Sequence, residues 1–118
     1  MLRIALAVLV ALLLGGAPAW SASMQVMESL PAAHAVMDGT QTEFFVRFDG
    51  PVDHNASRFQ IVRDGVVVQT LRPRLSSQPN VLYSGVRRLE PGSYVLHWNT
   101  RSMRDQEAAA GDIEFTVR

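Results

Sequence analysis

The residues with the clearest chemical potential lie near the end of the chain, in the stretch "SMRDQEAAAGDIEF" (102–115). Asp105 and Glu107 are two residues apart there, and the alternation of polar and apolar residues in "DIEF" predicts that a strand follows. Two carboxylates in one loop can bind a metal ion, form half of a catalytic pair, or simply face solvent. The residues of this stretch leave all three interpretations open.

Catalysis is the least supported of the three. The sequence contains no cysteine and no serine in a glycine-flanked elbow, and its three histidines form no triad pattern. A glycosidase needs two carboxyl groups on opposite sides of a cleft, whereas Asp105 and Glu107 share one loop of a small domain. We therefore expect that the protein is not an enzyme.

Metal binding has more suitable donors. Imidazole suits copper, and thioether sulfur suits Cu(I). The absence of cysteine excludes thiolate sites, and no spacing of the remaining donors matches a known metal motif. A structural role is the more common one for such residues: methionine fills gaps in a core, His97 falls on an exposed strand face, and His34 and His54 fall in polar loops. The candidates are His34, His54, His97, Asp105, Glu107, Met24, Met27, Met37 and Met103.

The elements that must position these donors are short strands. Alternating runs separated by turn residues are typical of an antiparallel sandwich. We predict an all-β fold, a seven-stranded antiparallel Greek-key sandwich of the immunoglobulin-like class, with Trp98 in the core near Phe44, Phe59 and Phe115. "AAHAVMDG" (32–39) is expected to be a loop or a short helical turn. The strand runs are "MQVMES" (24–29), "TEFFVRF" (42–48), "RFQIV" (58–62), "VVVQT" (66–70), "VLYSGV" (81–86), "SYVLHWNT" (93–100) and "DIEFTV" (112–117).

The first 23 residues have the pattern of a secretory signal peptide. Arg3 precedes an apolar run, residues 4–14, which is followed by glycine, proline and small residues. The run is shorter than the roughly 20 apolar residues of a membrane span. We predict a signal peptide over 1–23, one domain over 24–118, and export to the periplasm. Without Arg3 the chain has ten basic and eleven acidic residues, a balance that does not favour binding to nucleic acid.

Several segments after the leader resemble a known family. "ESLPAAHAVMDG", "RFQIVRDGVVV", "LEPGSYVLHWNTRS" and "GDIEFTV" occur in the order and with the key residues of corresponding segments in the CopC-like copper-resistance proteins, which are small periplasmic β-sandwiches. The resemblance covers residues 24–118. It implies the same fold and a role in copper homeostasis.

The resemblance also implies a metal site, in altered form. The family has a Cu(II) site made from an N-terminal histidine, an acid after the second conserved strand, and an S-D-x-H-P loop. Asp105 corresponds to the aspartate of that loop, and Glu107 stands in place of its histidine. The N-terminal histidine falls on Ser23, and the other acid is displaced to Asp49, with Gly50 at the expected position.

Two functions follow from this comparison. In the first, Asp105, Glu107 and Asp49 supply oxygens to a weakened copper site and His54 supplies an imidazole, while Met24, Met27 and His34 are candidates for a separate Cu(I) site. The loop of Asp105 should then lie beside the start of the first strand and the loop after Phe48. In the second, the domain is an exported, non-catalytic interaction module that has lost metal binding. The expected partners are a copper ion and a membrane copper transporter or another envelope protein, and the chain is expected to be a monomer.

Overall fold

Two β-sheets lie face to face in the computed structural model, which describes residues 24–74 and 77–118. Within these ranges, one sheet has the strand order β1-β3-β6 and the other has the order β2-β8-β7-β4-β5. This arrangement confirms the predicted all-β sandwich. The strands are β1 Val26–Leu30, β2 Ala35–Met37, β3 Glu43–Phe48, β4 Arg58–Arg63, β5 Val66–Leu71, β6 Val81–Gly85, β7 Gly92–Arg101 and β8 Ala108–Val117, and a 3-10 helix spans His54–Ala56.

Strand β2 is an addition to the seven strands predicted. Its three residues pair in parallel with the end of β8, from Ala35 opposite Phe115 to Met37 opposite Val117. Met37 is buried, so the short strand contributes a side chain to the core. The expectation of a loop or helical turn over 32–39 was therefore wrong for residues 35–37, because a partner strand 80 residues away along the sequence imposes the extended backbone there.

The core forms between the inward faces of the two sheets. Trp98 is buried, as predicted, and its ring meets Phe48 of the opposite sheet edge-on, with the centroids 4.9 Å apart. Phe44 packs edge-on against Phe115 at 5.5 Å, again from one sheet to the other. Such edge-to-face pairs are a preferred arrangement of aromatic rings. The remaining buried positions of these strands alternate as the sequence predicts: Val46, Tyr94, Leu96, Ile113 and Val117.

A tyrosine corner fixes the turn that enters β7. The hydroxyl of Tyr94 donates a hydrogen bond of 2.6 Å to the carbonyl oxygen of Glu90, four residues upstream. The ring of Tyr94 stacks on Phe115, and the guanidinium of Arg63 lies over it. A tyrosine that bonds back to the preceding turn is a recurring feature of Greek-key sandwiches. This contact sets where the chain begins β7 after it leaves the other sheet.

The predicted signal peptide, residues 1–23, lies outside the described residues, so it stays a prediction together with its boundary. In the described part of the chain, no helix has the length and apolar character needed to cross a membrane.

The packing of β8 against Trp98 leads to a stability prediction. Gly111 pairs with Trp98, and a Cβ atom at this glycine would lie 2.6 Å from Cζ2 of the indole. We expect Gly111→Ala to lower the free energy of unfolding by about 1–3 kcal/mol, because the core must shift to admit the methyl group. Urea denaturation measures this change.

Gly85→Ala is the matched control, since Gly85 also lies in a strand but has its nearest neighbouring atom 3.9 Å from the new Cβ. Here we expect no loss, or a gain of up to about 1 kcal/mol from the stiffer unfolded chain. Equal losses in both variants would contradict the role assigned to the Trp98 contact.

Candidate metal centre

The loops that follow β3 and β7 are joined by backbone hydrogen bonds. Val52 forms a β-bridge with Ser102, and the N–H of Met103 donates to the carbonyl oxygen of Pro51 at 3.0 Å. The N–H of Asp53 donates to the carbonyl oxygen of Arg101 at 2.9 Å. The loop of Asp105 and Glu107 therefore lies beside the loop that follows Phe48.

The start of the first strand joins the same region. The N–H of Asp49 donates to the carbonyl oxygen of Gln25 at 3.1 Å, and the N–H of Gln25 donates to Oδ1 of Asp49 at 3.2 Å. We call the combination of residues 24–25, 49–56 and 101–107 the loop end. The structure thus brings the two segments that carry the predicted ligands Asp49, His54, Asp105 and Glu107 together with the start of the first strand.

Within the loop end, the two acids of the opening motif are exposed to solvent. One oxygen of the Asp105 carboxylate accepts a hydrogen bond of 3.0 Å from the N–H of Glu107. This is the turn-forming contact that aspartate commonly makes two residues ahead. The carboxylate of Asp105 therefore shapes its own loop with one oxygen and has the other oxygen for a further contact.

His54 lies in the 3-10 helix, and one of its ring nitrogens already forms a hydrogen bond. Nε2 lies 2.7 Å from the carbonyl oxygen of Val81, and because a carbonyl oxygen only accepts, Nε2 carries a proton in this contact. Nδ1 has no hydrogen-bond partner among the described residues. The imidazole borders a surface depression of about 460 Å³, together with Pro51, Pro79 and Met103.

The guanidinium of Arg104 lies against the backbone of the loop end. Nη2 of Arg104 donates to the carbonyl oxygen of Asp49 at 3.3 Å. The guanidinium covers Gly50 so closely that a Cβ atom there would lie 2.8 Å from Cζ of Arg104. Arg104 was not among the residues singled out from the sequence, and no sequence signal connects it to a glycine 54 positions earlier.

The four predicted ligands thus share one end of the sandwich without forming a ready cage. Within the described ranges, no group of three or more histidine, cysteine, aspartate or glutamate residues is arranged to hold a metal ion. A copper ion bound by Asp49, His54, Asp105 and Glu107 would need their side chains to move. The donors present do not fit a preformed, high-affinity site, and the assignment of these residues stays a prediction.

Of the other candidate donors, His34, His97, Met27 and Met37 lie outside the loop end, whereas Met24 and Met103 belong to it. Nδ1 of His97 is 2.6 Å from Oδ1 of Asp112 across β7 and β8, and Nδ1 of His34 is 3.7 Å from Oε1 of Glu114. Strand alternation predicts that His97 and Asp112 lie on the outer face of the sheet, but the sequence does not reveal the pairing. Met24 and Met37 belong to the core, while Met27 and Met103 are exposed.

Two perturbed pKa values also belong to groups other than the predicted ligands. The N–H of Thr40 donates to the carboxylate of Asp38 and lowers the pKa of that group. A hydrogen bond from the hydroxyl of Tyr83 to the carboxylate of Glu43 raises the pKa of the tyrosine. Neither shift indicates an activated group at the loop end.

The chain is similar in sequence and in structure to known proteins. The sequence profile of the CopC domain matches residues 26–118. The crystal structure of CopC from Methylosinus trichosporium OB3b is similar over 80% of this chain and 92% of that chain, with a TM-score of 0.74 and 25% identity. PcoC, a copper resistance protein from Escherichia coli, is similar over 80% of this chain and 99% of its own, with a TM-score of 0.62 and 17% identity. No curated protein matches the sequence significantly.

Ser102 provides a test of how the loop end is held. This buried residue accepts a hydrogen bond of 3.1 Å at Oγ from the N–H of Arg104, and its own N–H donates to the carbonyl oxygen of Glu107. We expect Ser102→Ala to lower the free energy of unfolding by about 1 kcal/mol, the usual net value of one hydrogen bond. Hydrogen exchange should accelerate at the Arg104 amide in particular.

The exposed Ser93, in β7, is the control for Ser102. Ser93→Ala should leave both the free energy of unfolding and the exchange rate of the Arg104 amide unchanged. If the exchange rate of the Arg104 amide is unchanged in Ser102→Ala, the hydroxyl of Ser102 does not order this loop.

Proposed function

Since the chain belongs to the CopC family, we propose that it is an exported copper-homeostasis protein that binds Cu(II) through an altered and weak site at the loop end. The observation that carries this proposal is the set of backbone hydrogen bonds that holds the segments of Asp49 and Asp105 together. Asp105, Glu107 and Asp49 supply carboxylate oxygens, and His54 supplies the imidazole.

The chemistry of this donor set supports weak binding. Copper affinity rises with nitrogen and sulfur donors, whereas carboxylate oxygens also suit harder ions. Of the four proposed ligands only His54 offers nitrogen, and its free atom is Nδ1 because Nε2 donates to Val81. A hydrogen bond of this kind, from the second ring nitrogen to a carbonyl oxygen, is the usual way that a metal-binding histidine is oriented. The site therefore favours Cu(II) only modestly over other divalent ions.

The location and partners belong to the same proposal. The leader pattern of residues 1–23 supports export to the periplasm. A weak, exposed site suits a protein that buffers copper or passes it on, because a bound ion leaves such a site readily. The proposed acceptor is a membrane copper transporter or another envelope protein, and the domain acts as a monomer without catalysing a reaction.

One observation favours a second function, that of an interaction module without metal. The guanidinium of Arg104 covers Gly50, and its charge opposes the approach of a cation to the same end of the sandwich. In this alternative the loop end binds a protein partner directly. Copper titration distinguishes the two functions.

For the copper site we predict that the double substitution Asp105→Asn, Glu107→Gln weakens Cu(II) binding by at least about tenfold, since even changes outside the ligand set commonly cost that much. The amides keep the size of both side chains, and the asparagine can still accept from the N–H of residue 107. Binding should also weaken as the pH falls, because protons compete with the metal for its ligands. Calorimetric titration of the exported form measures both effects.

Asp64→Asn, Glu90→Gln is the matched control, as it removes the same two charges from exposed turns away from the loop end. It should bind Cu(II) like the parent protein. If the Asp105, Glu107 variant also binds like the parent, or if the parent does not bind Cu(II), the loop end is no copper site and the metal-free function takes its place.

Export predicts that the mature protein is lighter than the full chain by the mass of the signal peptide. Mass spectrometry of the chain isolated from the cell envelope should show the loss of about 19–23 residues, as cleavage of a signal peptide requires. Full-length chain held in the membrane fraction would instead indicate an uncleaved anchor.

A further inference from the structure

We propose that the positively charged side chain of Arg104 competes with Cu(II) for the loop end and sets the low affinity of this site for the ion. This inference rests on the proposed function, and it assigns to one residue the control of that site. The guanidinium and an incoming metal ion would compete for the same region, so the ion binds only as the arginine side chain moves away.

The position of the guanidinium is fixed from both loops. Nη2 donates to the carbonyl oxygen of Asp49, and the N–H of Arg104 donates to Oγ of Ser102. The adjacent N–H, that of Met103, donates to the carbonyl oxygen of Pro51. The arginine is thus anchored at its backbone to one loop and at the end of its side chain to the other.

Gly50 supplies the space that the guanidinium fills. A Cβ atom at this position would lie 2.8 Å from Cζ, 2.9 Å from Nη2 and 3.0 Å from Nη1 of Arg104. Unlike Gly65 and Gly92, Gly50 does not have a positive φ, so its backbone would accept other residues. Because these atoms are the end of a flexible side chain, a larger residue at position 50 would displace the guanidinium and leave the backbone in place.

Among the described residues, the guanidinium of Arg104 contacts a backbone carbonyl oxygen and not a carboxylate. Within the described ranges its side chain forms no ion pair, and the contact that holds it is to a neutral carbonyl group. Asp49 directs one oxygen to the N–H of Gln25, and Asp105 directs one to the N–H of Glu107. An ion approaching these carboxylates consequently also approaches the positive charge of Arg104.

The size of the effect follows from Coulomb's law. In water, a divalent ion about 6 Å from a unit positive charge is disfavoured by roughly a factor of ten. The penalty falls as salt is added, because the screening length shrinks to about 3 Å at 1 M ionic strength. A charge effect and a purely steric one can therefore be separated by their dependence on salt.

The test is calorimetric Cu(II) titration of the exported protein and three variants at low and high ionic strength. Arg104→Gln removes the charge, and we expect about tenfold tighter binding at low salt with a smaller gain at high salt. Arg104→Lys keeps the charge and should bind within about twofold of the parent. Arg88→Gln removes an exposed arginine that acts on Asp38, away from the loop end, and should change nothing.

Thermal unfolding of each variant shows that it is folded, which is expected because Arg104 is exposed. If Arg104→Gln binds no tighter than the parent, or if Arg104→Lys gains as much as Arg104→Gln, the inference is overturned while the proposed copper site stands. If neither the parent nor Arg104→Gln binds Cu(II), the proposed function fails and the inference fails with it.

Discussion

The edge-to-face contact between Phe48 and Trp98 is the interaction on which the rest of this structure depends. Phe48 ends β3 in the three-stranded sheet, and Trp98 lies near the end of β7 in the five-stranded sheet, so their contact joins the two layers close to the points where both strands finish. The sequence has no cysteine, and no disulfide can replace this packing. This contact sets the distance between the loop that follows β3 and the loop that follows β7.

Because the two strands end together, the loops that follow them are close enough for their backbones to bond. The bridge from Val52 to Ser102 and the hydrogen bond from Met103 to Pro51 are consequences of that proximity. Backbone hydrogen bonds of this kind hardly depend on the identity of the side chains. The scaffold of the loop end therefore does not depend on its charged side chains, whereas the attraction of a metal ion does.

Because the scaffold does not depend on the charged side chains, the chain can belong to a copper-resistance family although its described residues contain no preformed set of metal ligands. The fold is determined by many buried residues that act together, whereas a metal site needs only three or four side chains in the right places. The loop end combines the carboxylates of the three proposed acidic ligands, a histidine with one ring nitrogen hydrogen-bonded, and the guanidinium of Arg104. Such a set of groups is polar but does not select strongly for one metal ion. In the proposed function, cation binding at this end is a balance of charges in water, where one unit charge changes the affinity by about tenfold.

The sequence by itself determined seven of the eight strands in the described residues, most of the core and the placement of the two exposed acids in a loop. It could do so because alternation along a strand is a local property that each run displays. Trp98, Phe44 and Phe115 were assigned to the core correctly for this reason. Only the tertiary structure decided that residues 35–37 form a strand, that Nε2 of His54 donates a hydrogen bond to the carbonyl oxygen of Val81, and that the guanidinium of Arg104 covers Gly50. Each of these contacts joins segments at least 27 positions apart, and no local pattern encodes a partner that only the folding of two sheets brings near.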